Sequence, residues 1–182
     1  MLMTEIGLVR KWMEQAVLGL GLCPFAGELW HAGRVRLTVT VAASEQALLE
    51  DLHTELTVLE ATDSKLLETT LLIVPYLLHE FSDYNQFLDL ADALIKRHGW
   101  AGCFQIASFH PGYQFAGTKP DDLENLTNRS PYPLLHVLRE STMSRVLAEH
   151  PNSDQIPSTN IATLRALSEE RRQEIFGFPP GT

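Results

Sequence analysis

Three side chains between positions 110 and 140 are of types and spacing that could do chemistry: His110, His136 and Glu140. If a helix begins near Pro133, His136 and Glu140 lie four residues apart on one face, with Arg139 in the same turn. Together with His110 they form a two-histidine, one-carboxylate set able to hold a divalent metal with open positions. Without a metal, His110 or His136 would act as general base or acid, and Glu140 would orient the imidazole. The alternative is structural. Leu134, Leu135, Val137, Leu138, Met143, Val146 and Leu147 surround that helix, so its polar trio would have to be satisfied internally, for example by a Glu140–His136 or Glu140–Arg139 bond.

A second set sits just upstream. The stretch from His110 to Ser130 is longer than the roughly 12–15 residues that compact domains leave without structure, and loops of that length tend to be functional. It holds Tyr113, Asn125, Asn128 and Arg129 and ends in Ser130-Pro131-Tyr132-Pro133. Ser130 as N-cap and Pro131 in the first turn predict a helix start there, whose free N–H groups beside Arg129 would suit a carboxylate or phosphate. Asn125, Asn128, Tyr113 and Tyr132 would orient such an anion. The competing reading has Arg129 merely pairing with Asp121, Asp122 or Glu124 to pin the loop.

Cys23, in Leu22-Cys23-Pro24-Phe25-Ala26, is the one thiol considered as a nucleophile. It follows the end of a helix, the unfavourable pole for a thiolate, so only neighbours in space could activate it. Cys103 opens a strand and is expected in the core. Two cysteines this far apart exclude a disulfide scaffold and a cysteine-based zinc site. No dinucleotide fingerprint, P-loop, nucleophile elbow or HExxH is present, which argues against the enzyme classes built on them.

The elements that must position these groups read as follows. Ile6, Val9, Met13, Val17 and Leu20 recur at helical spacing after Thr4 as N-cap, and Gly19-Leu20-Gly21 stops that helix. Arg34–Val41 alternates strictly, as a half-exposed edge strand does. Ser44 caps a helix reaching Ala61, Thr69–Tyr76 is a continuous apolar strand covered on both faces, and Ser82 opens a helix closed by Lys96, Arg97, His98 and Gly99. Cys103–Phe109 is a third strand. Helices are expected at about 133–149 and 158–175, before the tail Phe178-Pro179-Pro180-Gly181.

Crossovers of this length predict an α/β fold: a parallel-core β-α-β-α-β sheet in two or three layers, with one helix added before it and two after. A ferredoxin-like α+β sheet is the alternative and would need a further hairpin strand. The 182 residues make one domain, with 45% apolar and 20% charged residues, an ordinary globular composition. Eleven of the 23 acids fall between Ser44 and Asp92 against one base, Lys65, as on solvent-facing helices. A net charge of −9 without a basic stripe argues against nucleic acid. The longest apolar run, Leu71–Leu78, is interrupted by Pro75 and is too short to cross a membrane. The first twelve residues lack a secretory pattern, so a cytoplasmic location is expected. The edge strand leaves both a monomer and a homodimer open.

Several stretches together resemble a known family. They are Leu22-Cys23-Pro24-Phe25-Ala26, Ser108-Phe109-His110-Pro111 with Tyr113-Gln114-Phe115-Ala116-Gly117-Thr118, Asn125 with Thr127-Asn128-Arg129-Ser130-Pro131-Tyr132-Pro133 and His136, and Asn160-Ile161-Ala162-Thr163-Leu164-Arg165. The chain is similar across nearly its whole length to the bacterial family catalogued as domain of unknown function 1415. The resemblance implies no activity, but its stretches coincide with Cys23, His110, Asn128, Arg129, Ser130, Tyr132, His136 and Arg139.

Three functions are therefore expected. The first is a small cytoplasmic enzyme performing a hydrolytic or group-transfer step on an anionic small molecule, between the third strand and the helix after it. The second is a non-catalytic protein binding a metal or a metabolite in the same pocket. The third is a thiol-dependent protein in which Cys23 approaches His110.

Overall fold

The computed structural model describes residues 4–178; Pro179–Gly181 of the expected tail lies outside them. A four-stranded sheet of β1 (Val35–Val39), β2 (Thr69–Ile73), β3 (Phe104–Phe109) and β4 (Leu134–Arg139) forms the middle layer, in the order β1-β2-β4-β3. Helices α3 (Glu45–Ala61) and α4 (Phe81–Arg97) cover one face. On the other face pack α1 (Glu5–Trp12), its π-helical continuation Met13–Leu18, and α7 (Glu169–Phe176). The chain is thus an α/β fold in three layers.

Local signals placed most of these elements. Thr4 Oγ1 accepts from the Gly7 amide at 3.2 Å and Ser44 Oγ from that of Ala47 at 3.2 Å, so both expected caps form. Helix α4 ends in His98 and then Gly99 at φ 76°, the left-handed residue that closes a helix without a side-chain clash. Gly19 is required for another reason. A Cβ there would meet the Gln15 carbonyl oxygen at 2.5 Å, because the π-helix brings its backbone so close.

The largest departure is β4. The expected helix from Pro133 is an extended strand up to Arg139, and α5 (Glu140–Glu149) starts only afterwards. Leu134, His136 and Leu138 alternate with Leu135, Val137 and Arg139, and both sides are covered, so the run is apolar throughout and carries no period that separates helix from strand. An open slot between β2 and β3 decides the matter. β4 lies antiparallel to both, Leu71 opposite His136 on one side and His136 opposite Ala107 on the other. The sheet core is therefore mixed, and β1–β2 is its one parallel pair. The hairpin strand needed by a ferredoxin-like sheet exists as β3–β4 and makes a split β-α-β unit with β2, but β1 pairs in parallel at the outer edge.

Other differences are smaller. The outward side of β1 is not bare: Arg36 forms a two-pronged pair with Glu55 of α3 at 3.0 and 3.2 Å, so part of the acidic block serves the fold rather than the solvent face. The last expected helix is two, α6 (Ile156–Ala166) and α7, broken where Ser168 caps the second. Cys103 is exposed rather than core.

Tyr84 of α4 locks the end of the hairpin. Its hydroxyl donates to the Leu134 carbonyl at 2.6 Å and accepts from the Phe109 amide at 3.1 Å. Tyr84→Phe leaves both backbone groups unpaired, and is expected to lower stability by about 2 kcal/mol, read as a lower urea midpoint at unchanged slope.

Candidate functional site

The residues singled out in the sequence separate into two groups, and most belong to the scaffold. His110 is buried. Its Nδ1 accepts from the Gly112 amide at 2.9 Å and its Nε2 donates to the Leu78 carbonyl at 3.0 Å, so neither nitrogen is left for a substrate. Leu78 has a left-handed backbone, φ 60°, and the imidazole holds that strained residue in place. Phe81 and Tyr84 pack on the ring, and this burial pushes the His110 pKa down.

The 110–133 segment is ordered by its own side chains. A 3₁₀ helix, Leu123–Asn128, occupies its second half. Asn125 is fully buried; its Oδ1 accepts from the Phe115 amide and Thr118 Oγ1 at 2.9 Å each, while Nδ2 donates to the Lys119 carbonyl at 2.7 Å. Arg129 donates to the carbonyls of Tyr113 and Pro120 at 3.3 and 2.5 Å. It pins the loop, as the structural reading required, through carbonyls rather than acids, and burial lowers its pKa. Asn128 ties the segment to the Ser108 carbonyl at 2.9 Å. Tyr113 packs between Phe81, at a tilt, and Phe115, edge-on.

Two expectations are corrected here. No helix begins at Ser130; its hydroxyl is buried and donates to the Tyr132 carbonyl at 2.6 Å, and Tyr132 itself is core, so the anion site expected at a helix start does not form. Nor do His110, His136 and Glu140 make a metal triad. His110 packs with the α4 side of the sheet, whereas His136 is on the α1 side beside Phe109, because an extended chain sends alternate residues to opposite faces. With β4 extended, His136 and Glu140 also lose the shared helical face. Among the described residues no group of three or more His, Cys, Asp and Glu side chains could hold a metal. Arg139 caps α3 and the turn after it, donating to the carbonyls of Leu59, Thr62 and Leu67 at 2.6, 2.9 and 3.1 Å.

Two of the candidates share a cleft. Cys23 and His136 line one cleft of about 390 Å³ between the sheet, the π-helix, the segment 23–29 and α5. Trp12, Met13, Val17, Phe109 and Leu138 make most of its wall apolar. Stretches of π-helix are rare and often mark functional sites; this one supplies Met13 and Val17. His136 Nε2 is closed off from solvent and has no hydrogen-bond partner among the described residues, and burial pushes its pKa down to about 4. An unsatisfied buried nitrogen costs stability, which points to a role outside folding. Cys23 is half-buried. Burial raises its pKa, while hydrogen bonds from the Phe25 and Ala26 amides act the other way. Those residues open α2 (Ala26–His31), so Cys23 stands before the favourable pole of the next helix as well as after the end of the previous one. Of the two histidines it is His136, not His110, that lines a cleft with Cys23.

Residues that sequence reasoning missed complete the cleft. Thr142 and Arg145 come from α5, which has no buried residues, and His150 is its C-cap, meeting Phe25 edge-on at 4.8 Å. Arg145 pairs only with Glu149, at 3.5 Å on an exposed face. Their one signal in the sequence is that α5 is amphipathic with no core to bury its apolar side in.

The family model described as "Protein of unknown function (DUF1415)" matches residues 5–174. The chain belongs to that family. No curated protein and no solved structure matches this DUF1415 member. The matched span takes in every element that lines the cleft. Among the described residues no helix is long and apolar enough to cross a membrane.

Proposed function

We propose that the protein is a small cytoplasmic enzyme that transfers or hydrolyses an acyl group through Cys23, taking an anionic small molecule with an apolar body. One observation carries the reading: Cys23 and His136, whose buried Nε2 has no hydrogen-bond partner among the described residues, line the same apolar cleft. A thiol and an imidazole base are the two parts of a nucleophilic site. At neutral pH both rest uncharged, with the proton on sulfur, because burial disfavours the ion pair.

In the reaction, Sγ attacks the substrate carbonyl while Nε2 takes the thiol proton. The leaving group departs with that proton and a thioester remains on Cys23. Water then attacks the thioester; Nε2 accepts its proton and returns it to the sulfur. Arg145, held only by a surface pair worth about 0–1 kcal/mol, exchanges Glu149 for the substrate's acid group at the mouth.

Mono-4-nitrophenyl glutarate, with an activated ester at one end and a carboxylate at the other, is the probe. A burst of nitrophenol is expected, with the adduct on Cys23 and none in Cys23→Ala. The uncharged 4-nitrophenyl butyrate should react several-fold more slowly, and Arg145→Ala should erase that difference. Acylation that persists in Cys23→Ala, or falls on the exposed Cys103 alone, overturns the proposal.

A further inference from the structure

Beside the cleft lies a second cavity of about 420 Å³, and the two share a wall of Val17, Cys23 and Phe109. Most of the rest is hydrocarbon from α6 and the loops, including Leu22, Ile156 and Ile161. Among the described residues Glu124 is the only charged side chain on this wall. None of the ion pairs among the described residues uses it. Asn160 commits its Nδ2 to the Leu22 carbonyl at 2.9 Å, which leaves its Oδ1 as a further acceptor. A half-buried carboxylate set in hydrocarbon repels an anion and favours a cation with an apolar body. The neighbouring cleft differs, its lining matching Arg34, Arg139 and Arg145 against Glu28, Glu68 and Glu149.

We propose that this second cavity binds a primary alkylamine, its ammonium group on Glu124, and presents it to an acyl group held on Cys23. This rests on the thioester chemistry above and names the acceptor: the group transfer would make an amide. The proton balance is simple. Glu124 takes one proton from the ammonium, and the free amine attacks the thioester carbonyl. The C–N bond forms as the C–S bond breaks, and the second proton lost by nitrogen goes to the departing sulfur, restoring the thiol.

Two measurements on the full chain test this separately from the acylation itself. In the first, n-hexylamine is titrated at neutral pH and followed by amide chemical shifts. Saturable binding is expected, weakened at least 10-fold by Glu124→Gln and also by Ile161→Trp, which fills the cavity while keeping the carboxylate; hexanoate should not compete. Absence of saturable binding, or equal binding in Glu124→Gln, overturns the assignment. In the second, protein acylated by the nitrophenyl ester is mixed with n-hexylamine. The acyl group should leave about 10-fold faster than into water, as the N-hexyl amide, and Glu124→Gln should remove the acceleration. Amine that binds without speeding deacylation refutes presentation to Cys23. Failure to acylate Cys23 at all would sink the catalytic reading, and the hexylamine titration would still decide whether the cavity is an amine site.

Discussion

Acidification from pH 6.5 to 4 should cost the protein about 3 kcal/mol more than it costs a His136→Leu variant. The imidazole titrates near 6.5 in an unfolded chain and is pushed down to about 4 in the folded one by burial. Between those values the unfolded chain binds the extra proton and the folded chain does not. Stability is therefore complete above about pH 6.5, falls as pH drops toward 4, and keeps a constant deficit below. Each unit of displacement corresponds to about 1.4 kcal/mol, hence the size of the effect. Urea unfolding of the two proteins at matched pH isolates it from the carboxylates, which titrate in both. Parallel stability profiles would mean that the ring reaches water and does not rest neutral against the cleft.

The second large effect is on reactivity. His136→Gln retains volume and polarity but cannot accept a proton, and the rate of Cys23 acylation should fall roughly 10²–10⁴-fold. The pH profile separates a base from a structural residue. Wild-type acylation should be flat above about pH 5, because His136 is already neutral there. In the Gln variant only the thiolate reacts, so the rate should climb about tenfold per pH unit up to the raised thiol pKa. Two profiles of the same shape would assign His136 a packing role instead.

Both effects depend on a residue whose environment could not be read along the chain. His136 was singled out as a helical neighbour of Glu140, and the chemistry attached to it changed when the segment proved extended. The continuous run Leu134-Leu135-His136-Val137-Leu138 fits a buried helix and a two-sided strand equally well, since alternation vanishes when both faces are covered. For Cys23 the sequence shows only the end of the helix before it, the unfavourable pole for a thiolate. The helix after it, six residues long, has no side-chain cap to announce it, yet its first backbone groups act against the rise of the thiol pKa. His110 and Arg129 had the opposite fate. Their polar character in a long loop suggested catalysis for His110 and anion binding for Arg129, but His110 is spent on the Leu78 carbonyl and Arg129 on two carbonyls of the loop itself.

The elements that stand by themselves were determined by local chemistry. Caps at Thr4 and Ser44, the glycine stop after α4, the alternation of β1 and the unbroken apolar β2 each draw on contacts within a few residues or on burial common to any neighbour. The site was decided by partners far apart in the chain. Cys23 and His136 are 113 positions distant, and only the insertion of β4 between β2 and β3, with α5 laid beside the loop at Phe25, sets them on one cleft. Strand pairing and helix docking are long-range choices among segments of similar pattern, and the packing of the whole domain is what selects among them.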